Sequence, residues 1–294
     1  MLNDRPRWDH DGAHWPHRDA SRFVSAGGLR WHVQEMGAGP VVLLLHGTGA
    51  ATHSWRGLMP LLAADFRVVA VDLPGHGFTT GRPPGGLGMV AMARALGPLI
   101  EALDVEPRLV IGHSAGSAIA VRMALDGVAA PAAIIGINPA LLPFPGVAAR
   151  IFPAMARMLF VNPFVPHMFA ALARQPGEVG RFLKRSTGSA IDAEGVDCYR
   201  RLFGCAGHCA GAITMMADWD LETLAADLPR LRTPLLLIHG AADAMIPASA
   251  MLKAAARIPG AQTEELAALG HLAHEEAPDR VAALVRRFAA QIAA

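Results

Sequence analysis

The sequence predicts an α/β protein built on a mostly parallel, doubly wound sheet. Short apolar runs that suit buried strands alternate with stretches of helical periodicity. Such alternation is typical of βαβ units, whose crossovers place helices on both faces of a sheet. Hydrophobic residues make up 52% and charged residues 17% of the 294 residues. This composition can fill a large core and excludes an intrinsically disordered chain.

The predicted strands are short apolar runs bounded by Gly, Pro or polar residues. Gly27 and Gly28 separate two such runs and predict a hairpin. Residues 41–45 contain no polar side chain, as expected for a strand buried on both faces. The other predicted strands cover residues 67–71, 108–111, 132–137, 234–238 and 263–266. Helical periodicity predicts helices over residues 54–64, 90–102, 115–126, 248–257 and 279–293.

The alternation of strands and helices is interrupted between residues 139 and 229. Prolines divide this region into short helical segments with no strand pattern. We therefore expect a core formed by residues 21–138 and 230–294, with 139–229 inserted as a helical cap over the sheet. Residues 1–20 are polar and are expected to form an extended N-terminal arm. The bulky apolar residues of the cap are Phe144, Phe152, Met155, Met158, Phe160, Phe164, Met168 and Phe169.

Charge and cysteine content exclude several classes of function. The net charge of +1, from 26 basic and 25 acidic side chains, leaves no basic surplus for nucleic-acid binding. Three cysteines cannot form a disulfide framework, and the first twenty residues contain no apolar signal segment. Residues 205–209 read Cys-Ala-Gly-His-Cys, which is half of a zinc site at most. We expect a cytoplasmic protein with buried cysteines, no transmembrane segment, no metal and no cofactor.

Residues 112–116, Gly-His-Ser-Ala-Gly, are the strongest chemical signal. They match G-x-S-x-G between a predicted strand and a predicted helix, the context of a nucleophilic serine on a sharp turn. The two glycines let the strand and helix backbones approach each other. The N-terminus of the following helix then directs N–H groups at developing negative charge. Ser114 is therefore the candidate nucleophile.

A serine hydroxyl needs a base, and the base needs an orienting acid. Asp243 follows the predicted strand 234–238, at the sheet edge where open α/β folds build their sites. His271 directly follows a glycine in the loop before the last helix, so the chain order is Ser114, Asp243, His271. Three rivals stay open: His274 as the base, and Asp220 or Asp227 as the acid.

Residues 46–49, His-Gly-Thr-Gly, follow the strand 41–45 and can form an oxyanion hole. The backbone N–H of Thr48 is one expected donor, and the N–H of Ala115, the residue after the nucleophile, is the other. Three nearby side chains are candidates for substrate contact. His113 either lines the pocket or packs, while His53 and Trp55 either contact substrate or cap the following helix.

Taken together, these motifs resemble the α/β-hydrolase superfamily. The resemblance rests on residues 43–49, 72–77 (Asp-Leu-Pro-Gly-His-Gly) and 112–116, with Asp243 and the Gly-His pair at 270–271. It covers about residues 22–138 and 230–294. The resemblance implies serine-dependent hydrolysis of an ester-like bond and a structural role for residues 72–77.

A second resemblance runs nearly from end to end. Residues 5–9 (Arg-Pro-Arg-Trp-Asp), 28–33, 215–221 and 271–276 are similar to the magnesium-chelatase accessory hydrolases of bacteriochlorophyll biosynthesis. The bulky apolar residues of the cap either form simple core or line a pocket for an apolar small-molecule substrate or a tetrapyrrole. The resemblance itself implies a place in or beside that pathway, with magnesium chelatase as a candidate partner. The alternative is a non-catalytic porphyrin-binding accessory protein to magnesium chelation. The apolar stretch 154–173 also suits weak peripheral contact with a membrane.

Overall fold

The computed structural model describes residues 4–143, 162 and 164–293, with an eight-stranded sheet at the centre of this part. The strands are β1 (Ser21–Ala26), β2 (Leu29–Met36), β3 (Val41–Leu45), β4 (Arg67–Val71), β5 (Pro107–His113), β6 (Ala133–Ile137), β7 (Leu235–Gly240) and β8 (Gln262–Leu266). Their order across the sheet is β1-β2-β4-β3-β5-β6-β7-β8. The β1–β2 hairpin is antiparallel, β2 pairs antiparallel with β4, and the remaining pairs are parallel.

Helices flank both faces of this sheet. In the described residues, the helices in chain order, on the sheet or beyond it, are α1 (Leu58–Leu62), α2 (Met89–Ala102), α3 (Ala115–Leu125), α4 (Val165–Ala173), α5 (Glu178–Thr187), α6 (Ala193–Phe203), α7 (Ala206–Ala217), α8 (Leu221–Asp227), α9 (Ala248–Ala255), α10 (Ala273–Glu276) and α11 (Pro278–Ala293). Apolar residues of α2, α3 and α9 belong to one buried cluster, and those of α1 and α11 belong to another. In the part of the chain that the structure describes, no helix has the length and apolar character needed to cross a lipid bilayer.

Strand β3 shows why these residues form a central strand. Its five side chains are all buried. Val41, Leu43 and Leu45 pack into one cluster, whereas Val42 and Leu44 pack into the other. Alternate side chains of a strand point to opposite faces, so a run with two buried faces must be apolar throughout.

The predicted strands are confirmed, and their bounds shift by no more than a few residues at either end. The helix expected over 54–64 is shorter, because Thr52–Trp55 forms a 3₁₀ turn and α1 begins only at Leu58. Pro60 lies in the first turn of α1, where its missing N–H costs no hydrogen bond.

The N-terminal residues do not form the extended arm that we expected. Residues 8–14 fold into turns, and Trp15 is 3% exposed. Its indole Nε1 donates to Thr52 Oγ1 at 3.0 Å. Trp8 and Trp15 both meet Phe78 edge-to-face, with ring centroids 4.9 and 4.8 Å apart. Burying the Trp15 indole and part of the Trp8 indole stabilises the folded arrangement relative to a segment extended in water.

The described part of residues 139–229 is helical, from α4 to α8 and a final 3₁₀ turn. His208 on α7 donates through Nε2 to the carbonyl oxygen of Gly49 at 2.9 Å. A Cβ placed on Gly49 would lie 3.3 Å from the ring of Phe203 on α6. These helices therefore pack on the loop that follows β3. Several bulky residues named from the sequence lie outside the described residues: Phe144, Phe152, Met155, Met158 and Phe160.

Candidate active site

Ser114 stands on the turn between β5 and α3, in a backbone conformation that few residues adopt. Its φ is 50° and its ψ is −114°. This conformation is strained for a residue with a side chain, and such strain concentrates at functional sites. The backbone N–H of Ser114 donates to Ile137 O at 2.9 Å, which ties the turn to the neighbouring strand. The side chain is half-buried.

The glycines around Ser114 are required by close backbone approach. A Cβ on Gly116 would overlap the carbonyl oxygen of Leu45, and one on Gly112 would overlap the backbone of Gly116. A Cβ on Gly47 would lie 3.2 Å from the Cβ of Ser114. The G-x-S-x-G spacing therefore allows β3, β5 and α3 to converge on the serine.

The structure pairs the predicted base with the predicted acid. Nδ1 of His271 lies 2.8 Å from Oδ2 of Asp243, and the two side chains are 4% and 0% exposed. The other carboxylate oxygen accepts the N–H groups of Met245 at 2.7 Å and Ile246 at 2.9 Å. Asp243 is thus held by its own loop with one oxygen aimed at the imidazole. With Nδ1 engaged, Nε2 of His271 is the nitrogen that can accept a proton.

The rival acids and the rival base have other surroundings. His274 is fully buried, neither ring nitrogen has a hydrogen-bond partner among the described residues, and burial lowers its pKa to about 3. Asp220 caps α8 by accepting the N–H of Thr223 at 3.0 Å. Asp227 pairs with Arg122 at 2.7 Å. Of the candidate acids, Asp243 is the one that faces a candidate base.

The backbone of His271 is fixed from both sides. Its N–H donates to the carbonyl oxygen of Thr187, the last residue of α5, at 2.8 Å. Its carbonyl oxygen accepts Nε2 of His113 at 2.9 Å and Nδ2 of Asn138 at 2.7 Å. The Glu276 carboxylate accepts the N–H of Gly270 at 2.7 Å. The sequence analysis missed Thr187, Asn138 and Glu276 in this role, and the only signal was Asn138 as a polar residue at the end of an apolar strand.

Ser114 and His271 are not hydrogen-bonded to each other. Neither the Ser114 hydroxyl nor Nε2 of His271 has a partner within the described part of the chain. Free enzymes often hold a nucleophile and its base in looser contact, which tightens when substrate binds. The site therefore consists of a formed acid–base pair and a strained serine.

The two expected oxyanion donors belong to two different elements. Thr48 follows β3 and Ala115 is the first residue of α3. Neither backbone N–H has an acceptor among the residues that the structure describes. The Thr48 hydroxyl donates to the Met215 sulfur at 3.4 Å, so α7 lies over this loop. Donors on two separate elements can converge on one oxyanion.

The three side chains that we expected to contact substrate are all buried. His53 and Trp55 are completely buried, and His113 is 3% exposed. The His53 ring packs on Tyr199 with centroids 4.4 Å apart, and Trp55 packs on His274 at 4.6 Å. His53 and Trp55 present no surface to a ligand, so we correct these two assignments. His113 is as exposed as His271, and its contact with substrate stays a prediction. His113 also supports the His271 backbone.

The described residues hold no group of three or more His, Cys, Asp or Glu side chains placed to bind a metal ion. Cys198, Cys205 and Cys209 are free and buried, and burial raises the pKa of each thiol to about 12. They are therefore protonated and unreactive at neutral pH. The prediction that the cysteines are buried is confirmed.

The amino-acid sequence of the chain is similar to a known family and to named relatives. A family model described as alpha/beta hydrolase fold matches residues 40–278. The chain is 41% identical over 275 residues to the magnesium-chelatase 30 kDa subunit of Rhodobacter capsulatus, covering 93% of this chain and 95% of that protein. It is 31% identical over 255 residues to the pimeloyl-[acyl-carrier protein] methyl ester esterase of Aromatoleum aromaticum, covering 84% and 96%.

Solved structures match over a similar length. The epoxide hydrolase CorEH has a TM-score of 0.78 and 22% identity, covering 92% of this chain and 99% of that chain. At this level of identity the likeness shows the fold alone. The predicted class, a mostly parallel α/β sheet flanked by helices, is confirmed.

Proposed function

The chain belongs to the α/β-hydrolase family and, within it, is a relative of the magnesium-chelatase 30 kDa subunit, and on that basis we propose that it is a serine hydrolase of ester-like bonds. The observation that carries the proposal is the strained turn at Ser114 beside the His271–Asp243 pair. The chain order of these three residues is also the order found in this fold. The esterase relative supports a carboxylic ester as the bond that is cleaved.

The mechanism follows from the positions of these groups. Ser114 Oγ attacks the ester carbonyl carbon as Nε2 of His271 takes its proton, and Asp243 stabilises the resulting imidazolium. The N–H groups of Thr48 and Ala115 bind the oxyanion. The tetrahedral intermediate collapses, and the leaving alcohol takes the proton from His271. Water, deprotonated by His271, then attacks the acyl-enzyme and releases the acid and free Ser114.

We assign a cap role to residues 139–229. The support comes from α6 and α7, which place Phe203 against Gly49 and Met215 against Thr48, beside one oxyanion donor. Met215 is fully buried and only supports the loop, whereas the partly exposed ring of Phe203 favours an apolar group on the substrate. The substrate is therefore an ester with an apolar acyl or alcohol part, and a tetrapyrrole ester meets this requirement.

We place this activity in or beside bacteriochlorophyll biosynthesis, with magnesium chelatase as the candidate partner. The support is the 41% identity to a protein named as a subunit of that chelatase. The cytoplasm is the proposed location, because three free thiols suit a reducing compartment. Contact with a membrane surface stays a prediction, and exposed apolar side chains at α4, namely Phe164, Met168 and Leu172, are its support.

A second candidate function is a non-catalytic porphyrin-binding accessory protein to magnesium chelation. It is favoured by the same chelatase relative, whose name describes a subunit and not a hydrolase. In that case the Ser114 site is unused, and porphyrin binding survives the change Ser114→Ala.

The two candidates separate in one pair of measurements on the wild type and Ser114→Ala. With p-nitrophenyl esters of increasing acyl length, we expect a burst of one p-nitrophenolate per chain and a loss on the order of 10⁴-fold or more in the variant. We also expect that Ser114→Ala fails to restore pigment in a bacteriochlorophyll-producing strain that lacks the corresponding gene. Equal rescue by both proteins, together with no ester turnover by the wild type, would contradict catalysis and favour the accessory role.

A further inference from the structure

Asn138 lies at the carboxyl end of β6, between the loops that carry Asp243 and His271. It is completely buried, and its φ of 44° places it in the left-handed region. Asn tolerates this region better than most residues that have a side chain. Its backbone N–H donates to Ile238 O on β7 at 2.8 Å. The backbone of Asn138 is therefore part of the sheet, and its side chain is free to bond elsewhere.

The side-chain amide of Asn138 bonds to both loops at once. Nδ2 donates to the carbonyl oxygens of Gly270 at 3.0 Å and His271 at 2.7 Å. Oδ1 accepts the N–H of Gly240 at 2.7 Å. Gly240 ends β7 and opens the turn to Asp243, whose own N–H donates to Gly240 O at 3.0 Å. One buried amide thus links the start of the acid loop to the base itself.

We propose that Asn138 is a positioning residue, whose side-chain amide fixes the separation of the Asp243 loop and the His271 loop and thereby aligns the acid–base pair. The inference rests on the proposed function. Asn138 does not touch the reacting atoms. It acts through the backbone on which His271 stands and through the turn on which Asp243 stands.

The chemistry of the three bonds selects an amide. Two carbonyl oxygens need a donor with two hydrogens, and one N–H needs an acceptor on the other side of the same group. An aspartate would place an anion against two carbonyl oxygens. A leucine would remove all three bonds, and among the described residues the His271 carbonyl oxygen would keep only the His113 ring as a partner. Each buried backbone group left unsatisfied costs about 1–3 kcal/mol.

Each loop is also held by hydrogen bonds that do not involve Asn138. These bonds determine what changes when Asn138 is replaced. Asp243 keeps the N–H groups of Met245 and Ile246, and His271 keeps Thr187 O. Both loops therefore remain folded without the amide, but their separation relaxes. A displacement of about 1 Å in a catalytic group can cost about 10²-fold in rate. We expect that loss in kcat, while KM stays within about threefold.

Gln34 offers a matched control for the loss of a buried amide. It is 1% exposed on β2, and its Nε2 donates to Pro16 O at 2.6 Å and to His17 O at 3.1 Å. Asn138→Leu and Gln34→Leu both remove a buried amide that bonds to backbone carbonyls. Only the first lies at the catalytic loops. Asn138→Asp keeps the shape of the side chain, so it provides the test if Asn138→Leu does not fold.

The experiment measures the rate of fluorophosphonate labelling and the downfield proton signal of the His271–Asp243 hydrogen bond. That signal is assigned by its loss in Asp243→Asn. In both Asn138 variants we expect labelling about 10²-fold slower and a lost or broadened signal. Gln34→Leu should match the wild type in both readouts at a similar loss of melting temperature. Wild-type rates and an intact signal in the folded Asn138 variants would overturn the inference.

The design also separates this inference from the proposed function. If the wild type is not labelled but shows the signal, serine hydrolysis fails, and the signal in the Asn138 variants alone decides whether the amide aligns the pair. If the wild type shows neither labelling nor signal, both proposals are contradicted. If both Asn138 variants and Gln34→Leu slow labelling equally, the role of Asn138 is general stability and the inference is wrong.

Discussion

Within the described residues, two regions can be compared in which a serine accompanies a hydrogen-bonded histidine–aspartate pair. In the first, Ser21 Oγ lies 3.1 Å from Nε2 of His32, whose Nδ1 lies 2.8 Å from Oδ2 of Asp72. In the second, His271 and Asp243 are paired at the same 2.8 Å, with Ser114 as the proposed nucleophile. By side-chain hydrogen bonds alone, the first arrangement is the more complete of the two.

The serines themselves differ. Ser21 has extended backbone angles of −85° and 138° at the start of β1, and its hydroxyl also receives a hydrogen bond from Nε2 of Gln34 at 3.1 Å. Ser114 has a φ of 50° and precedes the first residue of α3. Only the second serine therefore has a helix N-terminus and an adjacent backbone N–H aimed at developing charge. Three side chains in order do not make a site without that backbone.

Asp72 explains what the first arrangement does instead. Its oxygens also accept the N–H groups of Thr52 at 2.7 Å and Phe78 at 2.8 Å. Burial acts to raise the pKa of this carboxyl, but the charge and hydrogen bond of His32 outweigh burial and hold the pKa well below its usual range. Asp72 therefore remains ionised and joins three segments of the chain. This agrees with the structural role expected for residues 72–77.

The largest expected effects come from changing the two aspartates in parallel. Asp243→Asn should lower kcat by about 10⁴-fold, because the amide no longer stabilises the imidazolium. Its free energy of unfolding should fall by less than in Asp72→Asn, because within the described residues the Asp243 carboxylate otherwise bonds only to its own loop. Asp72→Asn should cost about 3–5 kcal/mol of stability, because a buried pair loses one partner. Ester turnover and urea denaturation, measured on both variants, check these effects.

The distinction between the two regions fails if Asp72→Asn lowers activity and Asp243→Asn does not. A folded Asp72→Asn protein should retain wild-type kcat at a temperature well below its melting point. Loss of kcat there without loss of fold would make the first region part of the catalytic machinery. Full activity in Asp243→Asn would remove the second region from it.

A smaller effect per residue is expected from pH, through four histidines that are neither nucleophile nor base. Burial lowers the pKa of His46 to about 4 and those of His76, His208 and His274 to about 3. Below about pH 6.5 these four histidines take up protons in the unfolded chain, whereas in the folded chain they stay neutral until the pH is much lower. Stability is therefore lost as pH falls from about 6.5 towards 4, by up to about 1.4 kcal/mol per unit and per histidine. Urea midpoints at pH 7, 6 and 5 measure this slope.

His274 provides the matched variant for the pH effect. Its ring nitrogens make no hydrogen bond to the described residues, so His274→Leu removes one titrating group without breaking a bond. We expect a shallower loss of stability between pH 7 and 5. His14→Gln, a change at an exposed residue, should leave the slope unaltered. An unchanged slope in His274→Leu would contradict the assignment of a lowered pKa.

The sequence predicts those parts of the molecule that depend on local pattern. Apolar runs such as 41–45 define the parallel strands, and Gly112 to Gly116 places the serine turn, because both signals lie within a few neighbouring residues. The order of Ser114, Asp243 and His271 along the chain could likewise be read from the sequence. Their contact was expected only because the carboxyl ends of parallel strands share one edge.

The remainder depends on contacts between distant segments. Asn138 forms hydrogen bonds with Gly240 and His271, which are 102 and 133 positions further along the chain. No pattern in the neighbouring sequence predicts these partners. His53 and Trp55 follow the oxyanion loop in sequence, but neighbouring aromatic rings enclose them. The N-terminal residues looked polar, yet two tryptophans fold them back onto Phe78.

Fluorophosphonate labelling with mapping of the modified residue tests most directly that the second region, and not the first, is the active site. The account predicts one adduct per chain, located on Ser114, and none on Ser21. An adduct on Ser21, or a protein of unchanged mass after prolonged exposure to the reagent, would contradict it.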